Sequence, residues 1–455
     1  MSAKTTSAVL QRENYRRDSH FRTDRFRHLM PSVKLALVRG GTIVLQFVSQ
    51  ILVGILAGAS GLGLLQIITS WTCMLGEFLA QGLPAAAMRR VAVDYNHADS
   101  NAVENLLKNF RKRIVKAWLL SVAIIIPFIA IFHLMSPMTF STQNLWSVTA
   151  ILAVAPIFAL MKLYAESLKS TGKTLLAVCF ESATAPAALL FVCLVCWALK
   201  LPAAVISLTI AFALSLTISA IGMRFALSKR LCAIPKSDNA ERRTSLSKSL
   251  RHPDLVYLWS SSVLSIAFLH MPFLVMPLYI ETAEIGVFSI AHKLINVITT
   301  ILLLLAAIYG PQFAIAAEKR DAIALSKVLA RTQKISCAIF IPSTFFLILW
   351  ANPLAALFGE EFGDLQLFLV ILCGGQLVNA ATGLSGVLLN MSGSASSELV
   401  ALTLSIAIAL TGTIWAGPIY GATGLAAVFS FSIAVKNIAS YALAKNAMYK
   451  IGEFK

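Results

Sequence analysis

The sequence predicts an all-α polytopic membrane protein of about twelve transmembrane helices in two six-helix halves, and three features carry that prediction. Of 455 residues, 58% are hydrophobic and only 13% charged, with a mean hydropathy of +0.77, more apolar surface than a water-soluble core can hide. The apolar residues gather in runs close to the length that crosses a bilayer, and basic residues fill alternate connections between them. A faint repeat at an offset of roughly 220 residues divides the chain in two.

The formal charge of +17 invites a nucleic-acid reading. Its basic residues lie between apolar spans, so membrane topology accounts for them and no nucleic-acid partner is expected. Seven cysteines fall almost entirely within spans, without a second pair or a histidine at ligand spacing, and read as buried thiols rather than a metal site. The polar, basic start lacks the apolar core of a cleavable signal, so the first span is expected to be retained.

Taken in order, residues 1–34 form a tail with Lys4, Arg12, Arg16, Arg17, Arg22, Arg25, Arg27 and Lys34. It reads as a cytoplasmic arm, either resting on anionic headgroups or solvated and partly disordered. Spans are predicted at 35–57, 62–86, 114–134, 145–166, 174–198 and 203–223, which make the N-terminal half, 35–223. A basic linker, 224–254, rich in Ser and with Pro and Asn, reads as a flexible cytoplasmic hinge. Spans at 255–279, 285–310, 335–351, 365–389, 398–416 and 421–443 make the C-terminal half, 255–443, before a short tail, 444–455. With this assignment Lys200 is the lone basic residue of the outer connections, which places both termini in the cytoplasm. Asn101 to Arg113 and Ala324 to Lys334 look like short amphipathic helices on the inner surface, the latter pairing Leu325, Val328 and Leu329 against Lys327, Arg331 and Lys334.

Two glycine pairs mark the repeat. Gly63 opens GLLQI in span 2 and Gly286 opens GVFSI in span 8, while Gly172 in KSTGK and Gly393 in NMSGS follow spans 4 and 10. Six spans between equivalents preserve direction, so the halves should be related by an axis along the membrane normal.

Polar residues recur inside the first two helices of each half. In span 1, Arg39, Gln46 and Gln50 fall within about 20° of one line at helical spacing. Span 2 repeats the pattern with Gln66, Ser70, Glu77 and Gln81, span 8 with Ser289, Lys293, Asn296 and Thr300, and span 7 adds His270. A charge in the bilayer core needs a polar cavity or a partner, so Arg39, Glu77 and Lys293 point to a functional site. Interhelical hydrogen bonding remains the alternative for the amides, the hydroxyls and His270. Lys116 and Lys162 can snorkel to the inner surface, Lys162 with Glu166 makes an i,i+4 pair, and Glu181 and Lys436 each call for a local partner.

The stretch GVFSIAHKL (286–294), its long apolar helix and its exit GPQFA (310–314) into a charged amphipathic helix, together with ALFGEEF (356–362) and GGQLVNAATGLSGVLLNMSG (374–393), resemble the polysaccharide flippases of the MOP superfamily, the Wzx type. That resemblance implies a central cavity lined by spans 1, 2, 7 and 8, and a polyprenyl-pyrophosphate-linked oligosaccharide as cargo, flipped across the cell inner membrane for surface or exopolysaccharide synthesis. Arg39 and Lys293 would then hold the pyrophosphate, and Gln46, Gln50, Gln66 and Asn296 would meet sugar hydroxyls. The implied partners are membrane lipids and the polysaccharide polymerase and export machinery. No enzyme activity and no cofactor are expected, and the coupling ion, H+ or Na+, is left open. A multidrug-type cation exporter of the same superfamily should carry more carboxylates in its cavity, where only Glu77 qualifies. A membrane glycosyltransferase should carry a large extramembrane loop, and the longest outer connection, around ALFGEEFGD, is short.

Overall fold

The computed structural model describes residues 3–96, 99–135, 142–233 and 252–453, and no strand occurs among them. Helix α1 (Ala3–Ala80) begins inside the basic tail and holds spans 1 and 2, divided at Gly58. There φ is 70°, a value in the left-handed region that glycine adopts without steric cost. The helix stops at Ala80 because Gln81 and Gly82 both take positive φ, 50° and 70°. The predicted second span, 62–86, is therefore two elements, and α2 (Leu83–Asn96) leaves at a new angle.

Helix α3 (Ser100–Met135) makes the third span, α4 (Thr142–Ser170) the fourth, and α5 (Thr174–Ser182) with α6 (Thr184–Ala198) the fifth. The break at Ala183 suits Pro186. In the first turn of α6 its missing N–H would have had no intrahelical acceptor in any case. Helix α7 (Val205–Cys232) is the sixth span. Residues 234–251, and with them most of the predicted hinge, lie outside the described residues.

The second half opens with α8 (His252–Val275), which tightens into a 3-10 turn at Pro277. Helix α9 (Thr282–Glu318) passes straight through Pro311, so the predicted exit at Gly310 lies inside it. Asp321 then caps α10 (Ala322–Leu349), accepting from the Ala324 N–H at 2.9 Å. Next come α11 (Ala351–Phe358), α12 (Leu365–Thr382) and α13 (Ser385–Met391), the last two separated by Gly383 at φ 63°. Helix α14 (Ala395–Glu453) carries spans 11 and 12, divided at Gly421, φ 55°, as Gly58 divides α1.

Nine helical stretches among the described residues are long and apolar enough to cross a membrane. Two of these, Leu37–Ala80 and Ala395–Ile451, are 44 and 57 residues long, twice a single crossing, and each is broken at its glycine. With the apolar half of α3 the total agrees with about twelve spans. The two expected surface helices are not separate elements: Asn101 to Arg113 is the first part of α3, and Ala324 to Lys334 the first part of α10. Leu325 and Leu329 are buried against protein, not against headgroups.

The repeat is visible in backbone detail. Gly172 and Gly393 take φ of 81° and 79°, and each closes the same helix-ending turn, with Lys173 N–H donating to the Leu168 carbonyl and Ser394 N–H to the Leu389 carbonyl. Gly63 and Gly286 face each other where α1 crosses α9. Among the described residues, three clusters of buried side chains hold the bundle: one centred on spans 2, 4 and 6, one on spans 8, 9, 10 and 12, and one that joins the halves through Leu62, Leu65, Phe288, Phe362 and Phe368.

Candidate functional site

Between the first arm of α1 and α9 lies a cleft of about 170 Å³, lined by Gln46, Phe47, Gln50, Lys293, Asn296 and Thr300 with apolar neighbours. The helical spacing read from the sequence explains the lining. Gln46 and Gln50 are one turn apart, as are Lys293 and Val297, with Asn296 and Thr300 on the same face of α9. Lys293 is half-buried and, among the described residues, has no carboxylate within ion-pairing distance. Gln50 is 6% exposed and its Oε1 has no hydrogen-bond donor. An ammonium without a counter-ion beside an amide without a partner leaves both positive charge and hydrogen-bonding capacity for something that enters the cleft.

Asn296 also forms a wall of a second cavity, about 480 Å³, inside the C-terminal half. Its polar lining is mainly neutral, with Tyr257, Ser261, Ser265, Gln376, Asn379 and Asn437. His292 is part of this wall and was not singled out by the sequence analysis. Its ring is 9% exposed, lies at 3.2 Å from the Asn296 amide through Nδ1, and is packed among Phe273, Phe288 and Phe429. The amide of Asn379 donates to Gln376 Oε1 at 2.9 Å. Both residues stand in the GGQLVNAATG motif, which was read only for its resemblance.

The other predicted site residues do not join the cleft. Arg39 is half-buried, seven residues and about 10 Å along the helix from Gln46 toward the N-terminus of α1, and does not line the cavity. Gln66 and His270 meet through Ser70, whose hydroxyl is 3.2 Å from Gln66 Nε2 and 3.0 Å from His270 Nδ1. This chain ties α1 to α8 and is the helix-bridging arrangement held open for these residues. Gln81 lies beyond the helix end at a positive φ, off the line of Gln66, Ser70 and Glu77.

Glu77 is 7% exposed and faces the N-terminal half, near Lys162 of α4 and Ser262 of α8. There Lys162 pairs with Glu181 of α5, and Lys169 reaches both Glu181 and Glu166 at 2.8 Å. The expected Lys162 to Glu166 pair is absent. An i,i+4 spacing permits such a contact, but the ammonium of Lys162 bonds across to α5 instead. Lys436 finds its partner in Glu398 at 2.6 Å, and the carboxylate also accepts from Ser440.

No protein-family model and no curated protein sequence matches the chain. Solved structures do. A multidrug resistance MATE family transporter of the MOP superfamily, inward-facing, superposes with a TM-score of 0.70 at 15% identity, over 93% of this chain and 99% of that one. The lipid II flippase MurJ, inward closed, gives 0.66 at 14% identity, covering 92% and 90%. A MOP superfamily transporter from Pyrococcus furiosus, described by the reversed polarity of its binding pocket, gives 0.62 at 16% identity, covering 92% and 96%. The chain therefore has the MOP transporter fold and is a multi-pass membrane protein.

Proposed function

We propose that this protein is a flippase that moves a polyprenyl-pyrophosphate-linked oligosaccharide across the cell inner membrane by alternating access, with both termini in the cytoplasm. One observation carries the reading: Lys293 stands in a cleft between the two halves with no carboxylate among the described residues to neutralise it, beside the unpartnered Gln50 amide. A cationic cleft suits a pyrophosphate, and charge-assisted hydrogen bonds to it are among the stronger polar contacts. The amides of Gln46, Gln50 and Asn296 suit sugar hydroxyls. Part of the cargo would remain in the bilayer, in keeping with a cleft bounded by α1, whose Val44 and Val48 face outward at 63% and 41% exposure.

A cation exporter on the same fold would call for acid in the cleft. Among its described lining residues the cleft has none, since Glu77 sits with Lys162 instead. The test uses a strain deleted for this gene. Wild type and Lys293→Arg should restore surface glycan, whereas Lys293→Ala should leave lipid-linked precursor on the inner leaflet at normal membrane abundance. Full restoration by Lys293→Ala, or restored resistance to cationic dyes without restored glycan, would overturn the reading.

A further inference from the structure

A third cavity, about 330 Å³, opens on the N-terminal half at the helix ends marked as cytoplasmic by their basic residues. Two helices form it. Glu104, Leu107, Lys108 and Arg111 recur on α3 at the spacing of a single face, and Arg224, Leu227, Ser228 and Leu231 do the same on α7. Both helices pack on α4, whose Tyr164, 6% exposed, lies between them as the floor. Three cationic side chains thus converge with a single carboxylate, Glu104. None of Lys108, Arg111 and Arg224 is in an ion pair with a described residue.

Toward the membrane the borders of the groove turn apolar. Above Arg111 the α3 face continues with Val115 and Leu119, 38% and 55% exposed, and three residues from Arg224, at the edge of the α7 face, stands Ile221, 63% exposed. The groove is therefore cationic and is bordered one to two turns deeper by exposed hydrocarbon side chains, in the order in which a phospholipid presents its phosphate and its chains. Basic pockets between helices on the cytoplasmic side suit acidic headgroups.

We propose that this groove binds an anionic phospholipid of the inner leaflet, with Lys108, Arg111 and Arg224 around the phosphodiester and the acyl chains along Val115, Leu119 and Ile221. The site is separate from the Lys293 cleft and shares no lining residue with it. A lipid seated there would bridge α3 and α7 across α4 and brace the N-terminal half.

Native mass spectrometry of the full-length protein in detergent, titrated with dioleoyl-phosphatidylglycerol or dioleoyl-phosphatidylcholine, tests the assignment. Wild type should retain the anionic lipid about a hundredfold better, and Arg111→Gln/Arg224→Gln should lose about fivefold per residue. Lys327→Gln/Lys334→Gln, which removes as much charge from the inner end of α10, should leave retention unchanged. Because Arg224 is exposed, Arg224→Gln alone provides the same reading if the double variant is unstable. Equal retention of both lipids by wild type, or equal loss in the two double variants, would refute a built site. Displacement of the lipid by millimolar inorganic phosphate would assign the groove to free phosphate and overturn the lipid assignment.

Discussion

Gly63 and Gly286 occupy reciprocal positions across the junction of the two halves. A methyl group on Gly63 would stand 1.8 Å from the carbonyl oxygen of Thr282, and one on Gly286 would stand 2.0 Å from that of Ala59. Each glycine is thus four residues from the carbonyl that its counterpart needs kept clear, the relation a two-fold axis between α1 and α9 would generate. The absent side chains let the two backbones touch, as small residues do at close crossings of membrane helices.

Gly63→Ala and Gly286→Ala should therefore each cost about 1–3 kcal/mol or more through overpacking against backbone. Gly41→Ala, with open space around its position, should be neutral. Thermal unfolding of the purified variants measures the difference, and equal melting of all three would refute the crossing.

Arg39 and Lys293 should separate when each is replaced by alanine. Lys293 lines the cleft and Arg39 does not, so Lys293→Ala should lower export per molecule by about ten- to a hundredfold, the loss of a charge-assisted contact, and Arg39→Ala by much less. Glycan export normalised to protein in the membrane provides the comparison.

The Lys436 to Glu398 pair should show the asymmetry of a partly buried ion pair. Lys436→Met alone leaves the carboxylate uncompensated and should destabilise by about 3 kcal/mol, whereas Lys436→Met/Glu398→Met should recover most of the loss. Melting of the single and double variants in detergent decides it.

Topology is testable by fusion. Reporters placed after residues 140, 282, 362 or 418 should report the periplasm, and those after 100, 240, 325 or 450 the cytoplasm. A periplasmic signal at 240 would break the arrangement into two halves.

The spans were legible because hydropathy and charge placement are properties of contiguous residues, and the solvent imposes them on every crossing. Gly58 and Gly421 fall at or beside the predicted junctions for the same reason. The end of α1 was not legible. Gln81 continues the helical arithmetic of Gln66 and Glu77, and only its packing neighbour reveals the stop: Gly82 presses against the backbone of Leu255 and Trp259. Partner choice was also hidden, since Lys162 has Glu166 within a turn yet bonds Glu181, nineteen residues away, on another helix. Within the cleft, Gln46, Gln50, Lys293 and Asn296 were found from helical periodicity on two helices read separately. That they face each other is a fact of tertiary packing. His292 was passed over because it stands one residue, about 100° around the helix, from Lys293, whose polar neighbours at Ser289 and Asn296 drew the reading of that span.

At the far end of the cleft's two helices, the loop after α11 reaches over the first half. Glu361 accepts from the Ala59 N–H at 2.9 Å, at the start of the second arm of α1, while Phe358 and Phe362 press on Gly54. In the alternating-access cycle proposed above, an outward-open state would have to part these contacts, exposing two aromatic rings and stripping a helix N-terminus of its anion. The loop would then act as a spring clip. Its strength would set how much of the resting population waits with that side shut, and a weaker clip, as in Glu361→Gln, would shift the balance toward opening before any cargo arrives.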